Sequence, residues 1–356
     1  MATASGQFLC AKGKVDNPSS DAKDQLMKLS IVILCWNDLG VISECLRSIY
    51  QGTRSIDFEV IVSDNGSTDG SIEFLTQNFP SAHVIRNGAN LRFSRGNNVG
   101  IEASQGDYVL ILNSDTVVHD RSLDVFVAFA DKHPETGAFG CRVLNPDGTY
   151  QVSARLFPSI WRSWVAALYL RPLGTLISAF NDGEYQDWNG ESERVIDWQS
   201  GCCIMFRGDL LRRLGGFDPQ FSYYYEEVDL CHRVSDAGYP VRFTPEATIT
   251  HLGGQSSSKR YPIPFELDKY RNRYRYFLKY FGREGVRRCR RAALAWLRVR
   301  QLGYGVLQIF SPSEMNKNRL ELYRVALAWN KAVDPVRLVE NGEEPEIGLA
   351  AAAQTL

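Results

Sequence analysis

Apolar positions in the first third of the chain alternate between two periods. Leu29–Cys35 (LSIVILC), Phe58–Ser63 (FEVIVS), His83–Ile85 and Val109–Leu112 are short, nearly unbroken apolar runs, the pattern of strands covered on both faces. Between them the period lengthens. From about Gly40 to Tyr50, Val41, Cys45, Leu46 and Ile49 share one helical face and Glu44, Arg47 and Ser48 the other; Ile72, Phe74 and Leu75 mark a second helix, and about Asn97 to Ser104 a third. Strand and helix in strict alternation predict a doubly wound α/β sheet, mostly parallel, whose ligands bind at the carboxyl ends of the strands.

Each strand runs into a polar turn. Trp36-Asn37-Asp38 follows the first strand and Asp64-Asn65-Gly66-Ser67-Thr68-Asp69-Gly70 the second. The latter is a good loop with a helix cap, and equally a cradle in which Asp64 holds a ribose or base and backbone amides meet a phosphate. Asn90–Ile101 (NLRFSRGNNVGI) reads as a loop close to an anionic ligand, with Arg92 and Arg95 as charge-assisted phosphate donors. The fourth strand ends in Asn113-Ser114-Asp115, so Asp115 is a metal-seeking carboxylate at the sheet edge. Neither GxxxxGK[ST] nor GxGxxG is present, which weakens nucleoside-triphosphatase and dinucleotide readings.

Composition narrows the class. The chain has 356 residues, 44% hydrophobic, enough for one large or two modest domains. Forty basic against 41 acidic residues leave a net charge of -1, which excludes a global attraction to nucleic acid. The eight cysteines contain no CxxC pair, no signal segment opens the chain and no apolar run suffices for a transmembrane helix, so a reducing cytoplasmic setting is expected.

In the second half, Trp198–Phe206 starts polar and becomes an apolar strand, and Leu210–Phe217 a short helix closed by two glycines. Then Tyr223-Tyr224-Tyr225 abuts Glu226, Glu227 and Asp229 at a helix start. The helix dipole favours acids there, and Asp229 has Arg233 one turn on, but this explains two adjacent glutamates behind three tyrosines poorly. His251, at a strand end before two glycines, has the exposure of a metal ligand. Arg155–Phe180 is rich in Trp, Tyr and Leu and is expected either in the core or as helices flanking an acceptor entrance. Residues 283–300 (REGVRRCRRAALAWLRVR) form a basic amphipathic stretch suited to a membrane surface, or to a solvated or packed helix.

In this order, SIVILCWN, VSDNGSTDGS, NLRFSRGNNVGI, GDYVLILNSDT, WQSGCCIMFR, LGGFDPQFSYYYEEVDLCHR and HLGGQS resemble the family 2 glycosyltransferases, in the branch of rhamnosyltransferase-like and galactofuranosyltransferase-like enzymes, over about residues 29–280. The resemblance implies a GT-A fold and inverting transfer of rhamnose or another hexose from a dTDP- or UDP-sugar to a glycan or lipid-linked acceptor in cell-envelope polysaccharide synthesis. It makes Asn113-Ser114-Asp115 the counterpart of the DxD motif and Asp115 and His251 the ligands of Mg²⁺ or Mn²⁺. Glu227 becomes the general base, with Glu226 the alternative. Trp36, Asn37, Asp64, Asn65, Arg92, Arg95, Asn97, Asn113 and Ser114 are the expected donor contacts, and Trp198, Gly201, Tyr225 and Asp229 the acceptor or sugar contacts. Asn113 and Glu227 depart from the Asp common at these positions. Rival readings are a catalytically inactive carbohydrate- or nucleotide-binding relative and a nucleotidylyltransferase. The expected division is a disordered leader at 1–28, the GT-A domain at 29–262, a helical region at 263–333 and a disordered tail at 334–356. Contact with the inner face of the membrane is expected through 283–300.

Overall fold

The computed structural model describes residues 27–253 and 262–344. The leader through residue 26, Gly254 of the HLGGQS motif and the tail from residue 345 lie outside the described residues. β1 (Leu29–Cys35), α1 (Leu39–Gly52), β2 (Phe58–Asp64), α2 (Ser71–Asn78), β3 (His83–Arg86), α3 (Arg92–Ala103) and β4 (Tyr108–Asn113) build successive βα units, with parallel strands in the order β3-β2-β1-β4. Chain order reverses at β1, the switch point where open sheets leave a crevice. Cys35 pairs with Asp64 and Leu34 with Asn113, so three polar turns leave the sheet at one level.

Both faces of β1 and β4 are covered, as their unbroken apolar runs predict. Ile31, Ile33, Leu110 and Leu112 join Ile42, Cys45 and Leu46 of α1 in one cluster. Val32, Val109 and Ile111 join Ile101 and Phe217 on the opposite face. α3 lies so close to β1 that a Cβ at Gly100 would sit 2.4 Å from the Val32 side chain, which is why glycine stands there.

The chain continues through β5 (Thr116–Val118), α4 (Ser122–Lys132), β6 (Ala138–Leu144), β7 (Ala154–Arg155) and α5 (Ile160–Ala167), then β8 (Arg194–Ile196), β9 (Trp198–Gln199) and β10 (Cys203–Arg207). α6 (Gly208–Arg213), α7 (Glu226–Asp236) and β11 (Val241–His251) complete the sheet, which runs on from β4 as β10-β6-β11-β5 with β8 beside β11. β10 is antiparallel to both neighbours. β11 is antiparallel to β5 and pairs His251 with Thr116, next to Asp115.

α8 (Pro262–Phe310), broken at Gly282 where φ is 66°, then α9 (Glu314–Ala332) and α10 (Pro335–Asn341) form the helical end. They share an apolar cluster, including Tyr274, Phe277, Leu297 and Trp329, with Phe221 and Val228 of the α/β half.

Three local expectations change. The stretch from Arg92, read as a loop, is already helix α3, because Asn90 Oδ1 accepts from the Arg92 amide and starts the turn early. Residues 335–341, read as tail, are a helix with an Asp334 side-chain cap, anchored by buried Val336 and Leu338. The basic stretch 283–300 is largely engaged. Arg283 pairs with Glu340, Arg288 with Glu284, and Arg290 donates to the carbonyls of Asn330 and Lys331 at the end of α9. Its apolar residues Val286 and Leu297 are buried, so large apolar side chains become exposed only from Val299 onward.

Candidate functional site

The first two turns are laced together. Asn37 takes a left-handed conformation (φ 58°), its amide donates to Ser67 Oγ, and its Oδ1 accepts from the Thr68 amide at 2.8 Å. Asp64 is buried and accepts from the Gly66 and Ser67 amides, so its carboxylate shapes the second turn. Trp36, half-buried, donates its amide to Asp38 Oδ2.

Asp38 was read only as a turn former, and the structure makes it a wall of the site. Ser114 Oγ donates to Asp38 Oδ2 at 2.6 Å, which joins the end of β1 to the end of β4. Burial raises the Asp38 pKa, and the neighbouring charges of Asp115 and Asp69 add to the rise. The signal was present in the sequence: an acid just after an apolar strand, the logic already applied to Asp64 and Asp115. Asn113 is half-buried at the end of β4, its amide bonded to the Cys202 carbonyl.

Asp115 meets His251. The Nε2 of His251 lies 3.2 Å from Asp115 Oδ1, and Nδ1 lies 2.9 Å from Gln151 Oε1. An amide oxygen only accepts, so Nδ1 carries a proton. In the neutral ring, Nε2 then turns a lone pair on the Asp115 oxygen, an arrangement that calls for a cation between the two atoms or a second proton on the ring. A carboxylate and a nitrogen whose ring is held by a second partner suit Mn²⁺ or Mg²⁺ that takes its remaining oxygen ligands from elsewhere. Among the described residues, no three His, Cys, Asp or Glu side chains form a metal cage on their own. Gln151, one hundred positions from His251, carried no sequence signal.

Across the cleft, Tyr224 and Tyr225 are both left-handed (φ 65° and 72°), a strain of about 1–2 kcal/mol each that turns α7 so that its first residues face the sheet edge. Glu226 is buried, and Oε2 of both Glu226 and Glu227 lacks a hydrogen-bond partner. Burial, then the charge of Glu227, raises the Glu226 pKa well above the ordinary carboxylate value. Burial raises that of Glu227 too, opposed by amide donors at the helix start and at Gly201 and by the charge of Arg155. The two acids therefore differ: Glu226 is the more strongly raised, and Glu227, more exposed and served by the Gly201 amide, the less. Burial, with smaller contributions from the charges of Cys141, Asp115 and Glu227, raises the Cys202 thiol to about 12.

Other expected contacts lie elsewhere. Asn65 is buried, donating to Asn90 Oδ1 and the Arg92 carbonyl and accepting from Asn87. Asn97 is buried and donates to the Phe93 carbonyl. Asn65 holds the loop before α3 in place, Asn97 bonds back within α3, and neither has surface to offer a nucleotide. Asp229 is fully buried between Arg233 (2.8 Å), Lys279 (2.6 Å) and the Tyr280 hydroxyl (2.9 Å), so it does not reach acceptor space. Trp198 donates its indole N–H to the Leu156 carbonyl, and Tyr225 packs on Tyr276 with ring centroids 5.5 Å apart. Arg92, paired with Asp268 at 3.3 Å, and exposed Arg95 line a recess of about 330 Å³ with Ser94 and Ser222.

Residues 30–214 match a family model described as "Glycosyl transferase family 2". Over 213 residues the chain is 30% identical to the N-acetylglucosaminyl-diphospho-decaprenol L-rhamnosyltransferase of Mycobacterium tuberculosis, covering 56% of this chain and 68% of that protein. It is 24% identical over 204 residues to the rhamnosyltransferase WbbL of Escherichia coli K12, covering 54% and 72%. In structure it resembles the mannosyltransferase PcManGT of Pyrobaculum calidifontis, solved in complex with GDP-Man and Mn²⁺, with a TM-score of 0.52 and 14% identity over 89% of this chain and 88% of that one.

Proposed function

The chain belongs to glycosyl transferase family 2, with a GT-A fold, and from that premise we propose that it transfers rhamnose or another hexose from a dTDP- or UDP-sugar to a hydroxyl of a glycan or lipid-linked acceptor, with inversion, in cell-envelope polysaccharide synthesis. One observation carries the reading. Asp115, paired with His251 at the carboxyl end of the sheet, and Glu227, at the start of α7, are joined by the Gly201-Cys202 turn: the Cys202 carbonyl accepts from the Asn113 amide, two residues before Asp115, and Glu227 Cβ lies 3.7 Å from where a side chain at Gly201 would begin. A donor site and a base at opposite sides of one cleft are what displacement from the far face of a sugar requires.

The reading assigns each residue a task. The turns after β1 and β2 seat the nucleotide, with Trp36, Asn37 and the loop shaped by Asp64 as its walls. Arg95 and Arg92 offer charge-assisted bonds to anionic groups near the start of α3. Asp115 and His251 would hold Mg²⁺ or Mn²⁺, which when bound stabilises negative charge on a departing diphosphate. Glu227 accepts the proton of the acceptor hydroxyl as that oxygen bonds to the anomeric carbon. The bond from that carbon to the diphosphate oxygen breaks, and its electron pair leaves with the nucleoside diphosphate. No covalent intermediate is required. Glu226, protonated beside it, keeps a second negative charge away from the base.

The membrane-facing setting follows the same reading. Among the described residues no helix is long and apolar enough to cross a membrane. Arg287, Arg291 and Arg298, exposed and without an ion pair among the described residues, are the members of the basic stretch left to meet an anionic surface at the cytoplasmic side.

The test is a calorimetric screen of UDP, dTDP and GDP and their sugars with and without Mn²⁺, followed by transfer assays with the donor that binds. Metal-dependent binding of one nucleotide, lost in Asp115→Ala, is the expected result. Binding of a nucleotide with no transfer or donor hydrolysis under any condition would favour an inactive binding protein.

A further inference from the structure

A second cavity, of about 450 Å³, opens on the other side of the tyrosine pair from the sheet edge, between α5, Tyr224-Tyr225 and α8. That volume suits a small ligand rather than a packing defect. Its wall carries charge without matching counter-charge. Among the described residues Arg273 has no carboxylate partner; its Nε donates to Cys289 Sγ at 3.1 Å, and the groups around its charge are Cys289, Tyr225, Tyr270 and Tyr274, all held neutral by burial. Arg300 lies over the rings of Trp296 and Tyr169 at 5.2 and 5.4 Å, and its buried Nε has no hydrogen-bond partner. Lys269 shares the wall, stacked over Tyr224 and paired with Glu266 at 3.4 Å. The remaining acid, Asp182, has a buried Oδ1 with no donor.

Two unanswered guanidinium groups call for an anion with several oxygens, the ligand chemistry arginine forks recognise best. The orphaned Asp182 oxygen calls for a hydroxyl donor beside it. A sugar phosphate supplies both. The cavity edge is apolar: Tyr169, under Arg300, begins an exposed stretch in which Leu176 is 85% and Ile177 54% exposed. Exposed apolar side chains so concentrated at one mouth are unusual for a surface that meets only water.

We propose that this cavity is an anion site for the acceptor, binding the phosphate or diphosphate that joins the acceptor sugar to a long-chain alcohol, with Arg273 and Arg300 on the phosphate and the alkyl chain leaving over Tyr169. The assignment rests on the glycosyltransferase reading. Tyr224 and Tyr225 form its wall and directly precede Glu226 and Glu227, so the cavity and the proposed base are joined by one short segment of chain. The anion fixes the acceptor independently of the donor.

The probes are farnesyl diphosphate, farnesol and inorganic pyrophosphate, titrated below the micelle threshold into full-length protein, with the nucleoside diphosphate selected by the donor screen as a separate titration. The expected result is binding of farnesyl diphosphate, weaker binding of pyrophosphate and none of farnesol. Arg300→Gln and Arg273→Gln should each weaken farnesyl diphosphate by about tenfold or more, the scale of a lost charge-assisted bond, with nucleotide affinity unchanged. Arg300 is half-exposed at the rim, so its variant tests the site even if Arg273→Gln does not fold. Equal binding of pyrophosphate and farnesyl diphosphate would replace the lipid ester by a free anion. Competition between farnesyl diphosphate and the nucleotide, unchanged affinity in both variants, or no binding by the wild type would overturn the proposal. Loss of nucleotide binding by the wild type would instead overturn the donor site and the function built on it.

Discussion

The two walls of the cleft are built on opposite principles. On the sheet side, polar side chains are spent on one another: Asn37 on the second turn, Asp64 on its own loop, Asn65 on the turn before α3, Asp38 on Ser114. On the α7 side, Glu226 and Glu227 sit with unanswered oxygens behind two left-handed tyrosines. The first wall is a pre-formed mould, rigid because its hydrogen bonds are closed. The second stores unfavourable free energy, which a reacting proton relieves. Rigidity and reactivity are thus assigned to different elements of one site.

The largest expected effect breaks the platform beneath the reactive wall. Asp229→Ala leaves Lys279 and Arg233 facing a buried void and should cost about 3–5 kcal/mol of stability, measured by urea unfolding. A loss below about 1 kcal/mol would mean the triad is not what holds α7.

Next, Glu227→Gln should reduce kcat by on the order of 10² or more while nucleotide affinity stays within about twofold, read from steady-state transfer and calorimetry. The wild-type acid limb should lie above the ordinary carboxylate value of 4.5, because burial raises Glu227 and the base acts ionised. A dead Glu226→Gln beside an active Glu227→Gln would move the base by one residue.

On the moulded wall, Asp115→Asn should weaken nucleotide binding by about tenfold or more in Mn²⁺ and hardly at all in chelator. A loss of equal size in both conditions would make Asp115 a direct nucleotide contact.

The smallest effect has the opposite sign. The folded-state pKa of Glu226 lies above its unfolded value, so the stability of the protonated form is full below pH 4.5 and is lost as pH rises through the folded value. Glu226→Gln cannot ionise and should be more stable than wild type at pH 8, on the order of 1 kcal/mol, and equal to it near pH 4.5, measured by thermal melts at both pH values. Equal melting temperatures at pH 8 would remove the stored energy from the comparison.

Much of this was legible in the sequence. Continuous apolar runs gave the buried parallel strands, because only doubly covered strands dispense with alternation. Asp115 and His251, expected at one site, lie 3.2 Å apart although 136 positions separate them, since Asp115 follows β4 and His251 ends β11 of the same sheet. What failed was telling a polar residue that faces the ligand from one that faces its neighbours. Asn65, Asn97 and Asp229 lie in the same motifs as the reactive residues, and side-chain direction is set by tertiary packing that local pattern does not carry. Gln151 was invisible because its partner is met only after the chain has crossed the sheet.

The ties between α7 and α8 have a consequence for how such an enzyme diversifies. Lys279 bridges Asp218 and Asp229, Tyr280 stacks on His232 at 3.8 Å, and Asn272 holds the Tyr223 carbonyl. The helical end is therefore not an interchangeable cartridge. A recombinant that grafts another enzyme's carboxyl-terminal helices at residue 262 would inherit a mismatched foundation under the base, whereas a graft that also carries residues 217–236 would import the base and its support as one heritable unit.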